Sequence, residues 1–144
     1  MKIKSVFGMR ERIPEKHTCD GVNVNPPLEF IDVPSEAESL VLIVDDPDSP
    51  SRIWSHWVLC NIPPETKEIS EGSVPKGSLE GINDFGKAGY GGPCPKKGNH
   101  RYQFKLFALD TKLELPEEPT KPQVEEAMEG HIIDKTLLIG TYSR

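Results

Sequence analysis

Short apolar runs separated by turn-forming residues dominate the chain. Ser39–Asp45 (SLVLIVD) is apolar on both faces, which predicts a strand buried in the middle of a sheet. His56–Asn61 (HWVLCN) has the same character and predicts a neighbouring strand. Arg101–Leu109 alternates: Tyr102, Phe104, Leu106 and Ala108 fall on one face and Arg101, Gln103 and Lys105 on the other, the pattern of a strand with one wet face. Lys135–Tyr142 (KTLLIGTY) reads as a last strand. Between these runs lie Asp20-Gly21, Asn25-Pro26-Pro27, Asp46-Pro47-Asp48, Pro63-Pro64, Gly91-Gly92-Pro93 and Gly98-Asn99, and such regular punctuation predicts an all-β sandwich or barrel. One helix is predicted near the C-terminus. Thr120 and Gln123 form a capping-box pattern, Pro122 suits a first turn, and Glu125 and Glu126 suit the positive end of the helix dipole. Val124, Ala127 and Met128 make an apolar stripe, and Gly130 makes a stop.

Composition narrows this picture. The 144 residues predict a single domain over 1–144, with enough chain for a core without staples. Twelve glycines and fourteen prolines argue against a bundle of long helices. A formal net charge of -6 argues against a nucleic-acid footprint. The longest aliphatic run, Leu40–Val44, is far short of the ~20 apolar residues of a membrane span. No apolar stretch follows the charged start Met1–Lys4, so no signal peptide is expected. Cys19, Cys60 and Cys94 are odd in number and form no CxxC pair, so a cytoplasmic protein with reduced thiols is expected. Cys19 and Cys60 read as small buried hydrophobes, and His17 and His131 as surface or turn residues.

Two constellations carry candidate chemistry. In the first, a buried strand ends in Asp45-Asp46, turns through Pro47-Asp48-Ser49-Pro50-Ser51-Arg52, and the next strand opens with Trp54-Ser55-His56-Trp57. Polar residues at strand ends on stiff turns suit a site on a sheet rim. Equally, Asp46 or Asp48 can cap the turn, and His56 can be a core histidine between two tryptophans. In the second, the glycine-rich Gly89–Pro95 loop precedes Gly98-Asn99-His100-Arg101-Tyr102. Glycines leave backbone N–H groups open to an anion, and His100 and Tyr102, two apart on a strand, share the core-facing side. The same segment also reads as an ordinary hairpin loop. Phe85–Leu109 holds five basic residues and no acid, whereas Asp110–Glu129 holds seven acids and two bases, so an anion would be drawn to the glycine loop.

The motifs Asp46-Pro47-Asp48-Ser49-Pro50-Ser51-Arg52, Trp54-x-His56-Trp57 and Gly92-Pro93-x-Pro95-x-x-Gly98-x-His100-Arg101-Tyr102 resemble those of the phosphatidylethanolamine-binding protein family, also called the Raf kinase inhibitor protein family. The resemblance is to its bacterial and archaeal branch and covers nearly the whole chain. Thr18-Cys19-Asp20-Gly21 with Pro26-Pro27-Leu28 and Ile139-Gly140-Thr141-Tyr142 match the two ends. It implies a mainly β fold, an antiparallel Greek-key sandwich with one short helix near the C-terminus. It also implies a pocket for phosphate, acetate and phospholipid head groups. By position the pocket residues are Asp46, Asp48, His56, Gly92, Pro93, Cys94, His100 and Tyr102. The family also implies kinase or protease partners, binding rather than catalysis, and a homodimer in the prokaryotic branch. Cys94 stands where many eukaryotic members have proline and Lys96 where bacterial members often do. The chain also ends soon after Tyr142, where animal members continue into a helix. No metal or cofactor is expected, since His56, His100, Cys94 and Asp46 lack metal-ligand spacing. A hydrolase using the Asp, His, Tyr and Cys cluster is the alternative.

Overall fold

A computed structural model describes residues 1–144. A long strand β4 (Ser39–Asp46) is buried at every position because both its faces are covered. Leu40, Leu42 and Val44 face a core of 19 residues between two sheets, while Val41 and Ile43 face a second cluster of 8 residues beneath the helix. β5 (Trp54–Ile62) divides in the same way, with Trp57 and Leu59 in the first core and Val58 and Cys60 in the second. The doubly apolar pattern of both segments is therefore the signature of three layers: small sheet, large sheet, helix.

The remaining strands are β1 (Lys2–Lys4), β2 (Glu11–Arg12), β3 (Leu28–Ile31), β6 (Glu68–Ile69), β7 (Leu79–Glu80), β8 (Asn99–Leu109) and β9 (Ile132–Ser143). The small sheet has the order β1-β3-β6 and the large sheet β2-β9-β8-β4-β5-β7. All pairs are antiparallel except β2 with β9, which is parallel; this two-residue edge strand departs from the wholly antiparallel expectation. β8 buries Tyr102, Phe104, Leu106 and Ala108 and leaves Arg101 exposed, as its alternation predicts. The predicted strands are each present and extend by one to three residues at one or both ends.

Helix α1 (Lys121–Met128) carries the predicted capping box: the Gln123 N–H donates to the Thr120 side chain, and the Gln123 side chain accepts from the Thr120 N–H. Val124 and Met128 are its buried face. Glu125 and Glu126 sit in the middle of the helix instead of its first turn, so they do not engage the positive end of the dipole as expected. The helix is also tied to the sheet by charge. Asp45, wholly buried on β4, accepts from Lys121 Nζ at 2.9 Å and from Lys105 Nζ at 3.1 Å. No helix is long and apolar enough to cross a membrane.

Two further expectations fail. Cys19 and Cys94 are joined in a disulfide with their Cα atoms 5.4 Å apart, so only the buried Cys60 is a free thiol. The partners lie 75 residues apart, and only the packing of the N-terminal loop against the glycine loop makes them neighbours. His17 is 2% exposed, not a surface residue. Its Nδ1 donates to the Val24 carbonyl at 2.9 Å, and its own carbonyl accepts from the Tyr90 hydroxyl at 2.6 Å.

Candidate ligand cleft

The end of β4, the starts of β5 and β8 and the glycine loop converge on one cleft of about 750 Å³. Of the residues singled out in the sequence, Asp46, Asp48, His56, Cys94, His100 and Tyr102 line it. Gly92 and Pro93 are buried behind its wall. There the Gly92 N–H donates to Asn23 Oδ1 at 2.9 Å, and the Pro93 carbonyl accepts from the Cys19 N–H at 3.1 Å. A side chain at Gly92 would collide with the His17 carbonyl and the Asn23 side chain, so glycine is needed here for close approach.

His56 reaches the cleft through a bulge. Val44 of β4 pairs with Trp57 and Asp45 with Ser55, so His56 is the extra residue between them. Strict alternation would send His56 to the same face as Val58, under the helix. The bulge re-aims it toward the first core, where its ring meets Tyr102 edge-on at 5.2 Å between centroids. Its Nδ1 donates to the Gly91 carbonyl at 2.7 Å. Burial pushes the His56 imidazole below its usual range, against the opposing pull of the Gly91 carbonyl and the Asp46 carboxylate.

His100 lies one strand away with its ring roughly parallel to Tyr102, 6.4 Å between centroids. Its Nδ1 donates to Asp46 Oδ2 at 2.6 Å, an arrangement that fixes the ring and the tautomer. The second Asp46 oxygen accepts from the Asp48 N–H at 2.8 Å, the turn-capping role that sequence also suggested. Asp48 itself is engaged by Arg101, through Nε and the backbone N–H at 2.9 Å each and through Nη2 at 2.8 Å. This fork holds the Asp48 carboxyl down at about 2. Asp48 thus pins the turn to β8 and has little capacity left for a ligand.

The Tyr102 hydroxyl is buried and has no hydrogen-bond partner within the chain. Burial, with Asp46 and Asp48 nearby, pushes it well above the usual phenol range, so it remains a donor. The glycine loop supplies fewer donors than expected, because the Gly91 N–H donates to the His56 carbonyl at 2.9 Å and that of Gly92 to Asn23. The N–H groups of Cys94, Lys96 and Lys97 make no bond within the chain, and Lys96 and Lys97 bring two exposed cations to the wall.

Phe85 is a lining residue that carried no motif. Its ring meets Trp54 at 5.6 Å and His56 at 5.3 Å, both edge-on. The Asn83-Asp84 turn places it. Asn83 Oδ1 accepts from the Phe85 N–H at 2.9 Å, and Asp84 accepts from the Ser55 N–H at 2.6 Å and pairs with Arg52. Asn-Asp before an aromatic and a glycine marks a turn in the sequence, but nothing local says what that turn rests on.

A sandwich whose rim gathers two imidazoles, a carboxylate and a buried phenol is one that binds ligands of the phosphatidylethanolamine-binding protein kind. The chain belongs to that family: the model of the phosphatidylethanolamine-binding protein family matches residues 3–143. A UPF0098 protein of Methanothermobacter thermautotrophicus is 51% identical over 150 residues, covering 100% of this chain and 99% of the relative. One from Chlamydia trachomatis is 45% identical over 143 residues, covering 96% and 95%. Among solved structures, a phosphatidylethanolamine-binding protein homolog from Chlamydia trachomatis superposes with a TM-score of 0.94 at 44% identity, over 99% of this chain and 96% of that one. Escherichia coli YbcL, described as a new member of the mammalian family, gives 0.92 at 30% identity, over 99% and 98%.

Proposed function

We propose that the cleft binds small oxyanions of the phosphate kind, free or carried on a larger ligand such as a phospholipid head group, the kind of ligand the family name indicates. The observation that carries this reading is the pair of imidazoles. Each has Nδ1 fixed on a protein acceptor and Nε2 without a protein partner, beside an unpartnered buried hydroxyl. With Nδ1 held by Asp46, the imidazolium form of His100 donates from Nε2 to an anion. Tyr102 adds a second donor, and Lys96 and Lys97 add attraction at the wall. Each charge-assisted bond contributes about 1.5–3 kcal/mol. Phosphate must shed its hydration, so affinity falls in the roughly millimolar to micromolar range.

The hydrolase reading loses its cysteine, because Cys94 is held in the disulfide and presents no thiolate. Titration with inorganic phosphate, followed by histidine side-chain NMR, tests the binding reading. Shifts at both His56 and His100, with binding weakened at least about tenfold in His100→Ala, are expected. Unmoved resonances at both rings would refute it.

A further inference from the structure

One sulfur of the disulfide forms part of the cleft. Cys94 lines it together with Lys96 and Lys97. Cys19 and Cys94 are both half-buried, within reach of a small thiol. The wall that carries Cys94 has little of its own to hold it. The N–H groups of Cys94, Lys96 and Lys97 make no bond within the chain. The Pro93 carbonyl accepts from the Cys19 N–H at 3.1 Å, and the Pro95 carbonyl from Arg144 Nη1 at 3.4 Å. Arg144 also exchanges backbone hydrogen bonds with Gly98, at 2.8 and 3.2 Å. Asp20, next to Cys19, accepts in turn from Arg144 Nε at 3.2 Å and from the Tyr142 hydroxyl at 2.7 Å. Every hydrogen bond of residues 93–98 therefore runs to Cys19 or Arg144, and the disulfide is the one covalent tether among them.

We propose, building on the oxyanion reading above, that the bridge between Cys19 and Cys94 is a thiol–disulfide exchange site whose redox state sets the affinity of the cleft, the oxidised protein being the binding form. The reactant is a small dithiol. Its thiolate attacks Cys19 Sγ and forms a new S–S bond there, while the bond to Cys94 breaks and its electron pair leaves on Cys94 Sγ. Lys96 and Lys97 on the same wall favour a thiolate at Cys94 as the leaving group, whereas Cys19 is followed by Asp20. The second thiol of the reactant then displaces Cys19 and closes a disulfide of its own. The dithiol is oxidised, and the protein gains two electrons and two protons. Two changes at the cleft follow. The wall that carries Lys96 and Lys97 loses its covalent tether, and a Cys94 thiolate adds negative charge where the anion sits. Both weaken oxyanion binding. Cys60, buried with its thiol pushed up to about 12, takes no part.

Inorganic phosphate tests this, titrated calorimetrically into the oxidised protein and into protein reduced with dithiothreitol and desalted without air. The oxidised form is expected to bind at least about fivefold more tightly. Cys19→Ser, which has no bridge in any redox state, should bind as the reduced form does. Linkage demands the reverse effect as well. Saturating phosphate should raise, by the same factor, the ratio of reduced to oxidised dithiothreitol that half-reduces the protein, read by alkylation and mass spectrometry of Cys19 and Cys94. Circular dichroism of each form follows the fold. Binding lost together with the strand signal overturns the proposal, because the bridge then serves the fold alone. Equal or weaker binding by the oxidised form, or full affinity in Cys19→Ser, also overturns it and leaves the oxyanion reading standing. Binding by neither form overturns both.

Discussion

His56 owes its role to one extra residue in β5. The bulge turns a side chain that alternation would place under the helix into the cleft, and burial there pushes its imidazole below the usual histidine range. A histidine whose folded pKa is depressed contributes stability that is full above the unfolded value of about 6.5 and is lost as pH falls through the folded one. Denaturant unfolding below about pH 6.5 should therefore show stability dropping with pH, with the slope reduced in His56→Gln; identical slopes would mean that His56 is not the titrating group. A second loss belongs to Asp48. Its contribution is present above 3.8 and disappears as pH falls through about 2, when the Arg101 fork is neutralised. Tyr102 separates binding from folding. Its buried hydroxyl has no partner in the chain, so Tyr102→Phe should leave thermal stability unchanged or raise it by up to about 1 kcal/mol. The same variant should weaken phosphate binding roughly 5- to 10-fold in the calorimeter, by the loss of one donor; undiminished affinity would remove Tyr102 from the site. At this scale the sequence supplied Asp46, His56, His100 and Tyr102. It did not supply Phe85, which lies 29 residues beyond His56 and reaches it through the Asp84 contact to Ser55.

The strands and the helix were largely legible from pattern. β4 and β5 read as apolar on both faces because a sheet covers one face and α1 the other. Alternation in β8 held because only one of its faces is fully covered. The bulge in β5 had no local signal: the extra residue exists only relative to β4. The helix illustrates both outcomes. Its capping box follows from Thr120 and Gln123 alone, and Thr120→Ala should lower stability by about 1 kcal/mol in urea unfolding. Its attachment to the sheet depends on Asp45 and Lys105, which are 76 and 16 residues from Lys121 in the chain. Lys121→Met removes one of the two cations facing a fully buried carboxylate whose other oxygen is already unpartnered. A loss of about 1.5–3 kcal/mol is expected, and a change within the scatter of the measurement would show that Lys105 alone suffices.

In the whole molecule, the disulfide joins the N-terminal loop to the cleft wall and closes a loop across most of the sandwich. In the chain-entropy account a closure of this length stabilises by roughly 4 kcal/mol, and native bridges typically contribute about 2–4 kcal/mol. Cys19→Ser should lower the denaturation midpoint accordingly, and reduced wild-type protein should match the variant; a midpoint insensitive to reductant would mean that the bridge adds nothing to the fold. The sequence by itself determined the mainly β class, the positions of the long strands, the helix cap and the two motifs that line the cleft. These are set by neighbouring residues: period, turn chemistry and capping act over a few positions. Tertiary structure alone decided which histidine nitrogen faces the cleft, which carboxylate holds an imidazole and which holds an arginine, and that two distant cysteines meet. Each of those depends on register and on the packing of segments far apart in the chain, and neither is written in any local stretch of residues.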